Sequence, residues 1–177
     1  EGLLGAQFFL DHSPLPLSRL AADINIDGLA FNASFDDLIG VGAELSTLGE
    51  SLEAVAQRLD LELSRAPDVF SSSESFARSD QQAFAERGVP SILVNEGFRW
   101  QGSSRDAAIA ATLRWLRETY HSPADDLDQG LDWGAARDHC AFLAGFVYAV
   151  ADDLRDPIWY PGVSYAYQRL LSIAVGD

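Results

Sequence analysis

The sequence predicts an α/β domain, a mixed β-sheet flanked by helices, on three observations. Short apolar segments bounded by Gly, Pro or Asp interleave along the chain with longer stretches of helical periodicity. Apolar residues make up 47% of the 177 and aromatics 11%, which supplies a sizeable core and argues against disorder or a disulfide-stapled miniprotein. The length suits one domain over 1–177, and no internal repeat or low-complexity tract breaks it.

The elements follow in order. Residues 2–10 read as a short helix, with Pro14 and Pro16 marking the loop after it. In 22–26, Ile24 and Ile26 alternate with polar residues and the run ends at Asp27-Gly28, so a strand is expected; 37–41 gives a second strand closed by Gly42. Leu48, Leu52, Val55, Ala56 and Leu59 fall on one helical face, with Ser46 or Thr47 as the cap, which predicts an amphipathic helix over 47–59. The Ser-rich, aperiodic stretch 67–75 reads as an ordered surface loop. A helix over 81–87 is stopped by Gly88, Pro90 follows, and 91–94 is a continuous apolar strand. Ile109, Leu113, Leu116 and Tyr120 predict a helix over 106–119 that delivers its end to His121, and 133–154 is the longest helix. The aromatic tail 156–177 is expected to dock as an extra helix or to meet a partner.

Charge narrows the partners. The 12 basic residues, all Arg, stand against 27 acidic ones for a net charge of −15, a field that repels nucleic-acid phosphates and anionic lipid. The longest apolar run, 140–151, is shorter than the ~20 residues of a membrane span. Cys140 is the single cysteine, so no intrachain disulfide forms, and its apolar helical setting argues against a nucleophile. Neither Lys nor Met occurs, and with Glu1 as the first residue the chain is expected to derive from something longer.

Two motifs place metal-competent side chains where sheet proteins build sites. In Ile24-Asn25-Ile26-Asp27-Gly28, a carboxylate at the C-terminal end of a strand projects into the crevice where open α/β sheets bind ligands, although Asp-Gly also makes an ordinary turn. In Tyr120-His121-Ser122-Pro123-Ala124-Asp125, Ser122 suits an N-cap, Pro123 the first helical position and Asp125 a capping box. That arrangement would hold His121 just outside a helix start, as a zinc ligand, a general base or a plain capping-loop histidine.

In their order these segments resemble the zinc-dependent aminopeptidases of the aminopeptidase Y and bacterial leucyl aminopeptidase type, with their glutamate carboxypeptidase relatives. Glu1-Gly2-Leu3-Leu4-Gly5 is similar to the end of the family's Glu-Glu-x-Gly-Leu-x-Gly motif, and Ile24 to Asp27 to its strand ending in a ligand Asp. Arg78-Ser79-Asp80, Phe84 and Gly88-Val89-Pro90 resemble the segment before a core strand, and Tyr120 to Asp125 the Tyr-His-Thr/Ser-Pro-x-Asp motif.

The resemblance implies a zinc exopeptidase fold of the phosphorylase/hydrolase-like kind, truncated at its N-terminus, and an aminopeptidase that cleaves N-terminal peptide bonds with two zinc ions. It implies Asp27 as a ligand of one zinc, His121 as a ligand of the other, and Tyr120 as the hydroxyl that meets the tetrahedral intermediate. The family's first His, bridging Asp and Glu-Glu pair have no counterpart here unless Glu1 is the ligand Glu, so this chain alone is expected to retain no dinuclear centre and to be inactive. Unpaired sheet edges would then allow self-association. Secretion or periplasmic export follows from family habit alone. The competing reading is a non-catalytic, peptidase-like binding or dimerisation module.

Other candidates are weaker. His139 adjoins Cys140 on a helix, where neighbours point about 100° apart, so a shared metal is disfavoured and a structural role expected. His12 lies beside Asp11 in the Pro-rich loop. Arg78 and Asp80 are read as a structural ion pair, and Gln81 stands where the family often has His. The loop 97–102, Gly-Phe-Arg-Trp-Gln-Gly, either shapes a substrate pocket or packs on itself.

Overall fold

The computed structural model describes residues 2–27, 33–70 and 72–176. Glu1 and Gly28, to which the sequence reading gave roles, lie outside them.

Four strands form one sheet in the order β1-β4-β2-β3: β1 (Asp23–Asn25), β2 (Asp37–Val41), β3 (Glu62–Leu63) and β4 (Ser91–Glu96). β1 runs parallel to β4 and β3 parallel to β2, whereas β2 and β4 are antiparallel, so the sheet is mixed. Among the described residues, α1 (Leu4–Asp11), α2 (Leu48–Arg58), α3 (Ser72–Ala77), α4 (Gln81–Glu86), α5 (Arg105–Glu118), α6 (Trp133–Asp152) and α7 (Ser164–Val175) surround it. None of these is long and apolar enough to cross a membrane.

Alternation along the strands builds two cores. Leu38, Ile92 and Val94 face Leu48, Leu52 and Val55 of α2 and Phe142, Leu143 and Phe146 of α6. Ile39, Val41 and Leu93 face the other way, onto Phe76, Ala85, Phe98, Ala108 and Trp159. Gly40 lets the first layer close, since a Cβ there would lie 2.5 Å from the Leu52 side chain.

The expected strands and principal helices form, β3 is added to them, and three segments are settled by the structure. α3 begins within the Ser-rich stretch and runs past it to Ala77, a six-residue helix too short to show a period. The tail docks as α7: Trp159 is buried and its Nε1 donates to Gly88 O at 2.9 Å, while Arg169 Nη1 donates to Leu17 O at 3.1 Å. Gly88, with φ +86°, is where α7 crosses, because a Cβ would meet Arg169 N at 2.3 Å. Finally, no helix begins at Ser122. Residues 121–132 make turns, and α6 starts only after Asp132, whose carboxylate caps Gly134 N and Ala135 N at 2.9 and 3.0 Å.

Candidate functional site

β1 and β4 end at the same sheet edge, and antiparallel β2 begins there, so Asp27, Asn95, Glu96 and Asp37 converge on it. Carboxyl ends of parallel strands are where open sheets place ligands. Polar and apolar residues alternate from Asp23 to Asp27, which sends Ile24 to the α2 and α6 core and Asn25 toward α4.

Asp27 is held from two sides. The Ser79 hydroxyl donates to its Oδ2. With its amide nitrogen turned toward the strand end, Asn95 donates to the Asp27 carbonyl at 3.3 Å. Asn25 Nδ2 in turn donates to Ser79 Oγ and to Gln81 Oε1, both at 2.7 Å. Gln81, fully buried, donates from Nε2 to Phe76 O at 2.8 Å. Asp27 is therefore no bare turn residue. The departure to Gln81 is part of its support, which the sequence reading had not foreseen.

Asp23 lies farther back on the same face. Its Oδ2 is buried without a hydrogen-bond partner among the described residues, and burial, with Asp80 nearby, raises its pKa to about 7. The alternation of Asp23, Asn25 and Asp27 was the sequence signal for this polar face.

The second motif is arranged differently from expectation. α5 closes with Tyr120 N donating to Trp115 O at 3.0 Å, and His121 then adopts φ +54°, a left-handed conformation that histidine enters more readily than most residues. Its ring stacks on Tyr120 at 3.8 Å, and Tyr120 leans on Trp115 at 5.1 Å. Ser122 Oγ donates to Thr119 O at 2.6 Å and accepts from Ala124 N at 3.2 Å, so it organises a turn. Asp125 accepts from Gln129 Nε2 at 2.8 Å and makes no capping box. His121 is exposed and Tyr120 half-buried.

The remaining candidates resolve by packing. His139 is wholly buried, with Nδ1 on Glu96 Oε2 at 2.8 Å and Nε2 on Val94 O at 3.2 Å, the structural role expected. Cys140 is exposed, contrary to its expected place in the apolar face, because His139 and Phe142 turn that face inward. His12 closes α1 through Nδ1 on Phe8 O at 2.9 Å. In the loop 97–102, Phe98 is buried on Phe70 at 5.2 Å and Trp100 Nε1 donates to Gly97 O at 3.1 Å, so these aromatics pack the protein itself.

The model of Peptidase family M28 matches residues 1–147. The chain belongs to that family. It therefore carries a metallopeptidase fold, and M28 peptidases are in general zinc-dependent. No curated protein and no solved structure matches the chain.

Zinc tests the M28 donor set. Asp27 and His121 are of the right chemistry, but no hydrogen bond or ion pair among the described residues bridges them. Nor do three His, Cys, Asp or Glu side chains gather there into a group that could hold a metal. Catalytic zinc normally takes three protein ligands, so the described residues do not by themselves make a zinc site.

Proposed function

We propose that this chain serves an M28 aminopeptidase that removes N-terminal residues from peptides with two zinc ions. Asp27 supplies one ligand to one ion and His121 one ligand to the other, the remaining ligands coming from outside the described residues. Tyr120 presents its hydroxyl to the substrate from beside His121.

The observation that carries this reading is Asp27 at the carboxyl edge of the sheet, its carboxylate fixed by a hydroxyl donor rather than left as a turn residue. A preorganised carboxylate with a supporting hydrogen bond is what metal ligation asks of the protein. The stack on Tyr120 restricts the orientation of the exposed His121 ring.

The 177-residue chain alone is expected to retain no stoichiometric zinc after dialysis and to leave aminoacyl chromogenic substrates intact. In a longer protein carrying the remaining ligands, Asp27→Ala and His121→Ala should each abolish hydrolysis without unfolding the domain. Full activity in either variant removes that residue from the centre. Intact folding with no metal and no turnover in the longer protein would instead identify a peptidase-like binding module.

A further inference from the structure

We infer that Asn25 and Gln81 are positioning residues that fix the direction of a hydrogen-bond relay ending on Asp27. The inference deepens the reading of Asp27 as a site carboxylate and rests on it for its functional meaning.

The relay has one permitted polarity, set by a backbone group. Phe76 O can only accept, so the group that Gln81 places against it at 2.8 Å is its amide nitrogen. That orients Gln81 Oε1 toward Asn25. An acceptor there requires Asn25 to present its NH2, one proton going to Gln81 Oε1 and the other to Ser79 Oγ, each at 2.7 Å. A serine hydroxyl has one proton. With its oxygen already accepting from Asn25, Ser79 directs that proton at Asp27 Oδ2.

Burial makes the arrangement rigid. Gln81 is wholly buried, Ser79 nearly so and Asn25 half-buried, and turning the Gln81 amide over would set its oxygen against Phe76 O where water cannot compensate. Asp27 itself is exposed, so the hydrogen bond from Ser79 to Oδ2 is what selects one rotamer of it. The relay also gives Gln81 a role as the link that passes the Phe76 carbonyl's polarity to the strand end.

Three-bond couplings to Asp27 Cγ, measured by NMR on the 177-residue chain, report its χ1 rotamer directly. The natural chain should show one dominant rotamer, with both Asn25 side-chain amide protons slow to exchange. Asn25→Asp keeps the shape but accepts from Ser79 and so withdraws the proton from Asp27; Gln81→Met removes the acceptor that orients Asn25. Each should turn Asp27 into a mixture of rotamers in comparable amounts while the His121 couplings stay unchanged. A single Asp27 rotamer retained in either folded variant overturns the inference. Should neither variant fold, the natural chain still decides: rapid exchange of the Asn25 amide protons, or several rotamers of Asp27, overturns it equally. Zinc binding by a longer protein carrying the remaining ligands tests the ligand reading separately, so loss of that reading leaves the coupling result intact and the reverse also holds.

Discussion

Gly97 has no room for a side chain: a Cβ would lie 2.2 Å from the Asp37 carboxylate, which is buried and accepts from Arg99 N at 2.8 Å. Gly97→Ala should therefore destabilise the fold by about 1–3 kcal/mol, read as a lower urea midpoint. Asp23 gives a prediction of opposite sign. Its carboxyl is raised from 3.8 to about 7, first by burial and then by Asp80, so the folded state holds a proton that the unfolded chain releases. Stability from that residue is greatest below 3.8, falls as pH rises and is lost through about 7, a span worth on the order of 4 kcal/mol by linkage. Asp23→Asn should raise stability above that range and flatten the pH dependence; an unchanged slope of unfolding free energy with pH would refute it. At this scale Asp27 and His121 stood out as candidates because strand-end Asp and the Tyr-His-Ser-Pro run are local patterns. Ser79 and Gln81 were not, since they meet Asn25 only across 54 and 56 residues of chain.

α6 owes its seat to a polar contact inside an apolar face. His139 places both ring nitrogens on acceptors of β4, and Phe35 meets its ring edge at 5.8 Å. Truncation would strand the Glu96 carboxylate in a half-buried position and leave a void, so His139→Ala should cost about 3 kcal/mol, measured by denaturant unfolding. At the helix start, Asp132→Ala should cost about 1 kcal/mol through the lost cap. Elements with a strong period, α2 and α6 above all, could be read from the sequence to within a few residues. The turns over 121–132 were not, because Ser-Pro-x-Asp favours a helix start locally while the backbone here turns at His121 instead. The two-residue β3 carries too short a pattern to register and exists through its pairing with Asp37 and Leu38.

The whole molecule joins a mixed α/β sheet to an acidic surface. Apolar side chains remain exposed on α1 and α7, among them Leu4, Phe8, Tyr167, Leu170 and Val175. An open groove of about 720 Å³ between α2 and the end of α6 includes none of Asp27, Tyr120 and His121. As proposed, Asp27 and His121 flank a pair of metal ions. Zinc-edge anomalous diffraction from a protein that carries this chain together with the remaining ligands decides it. Two peaks roughly 3.5–4 Å apart are expected, one bonded to an Asp27 carboxylate oxygen and the other to a His121 ring nitrogen. Zinc ligated without either residue, or those two side chains on opposite faces of the sheet, would contradict it.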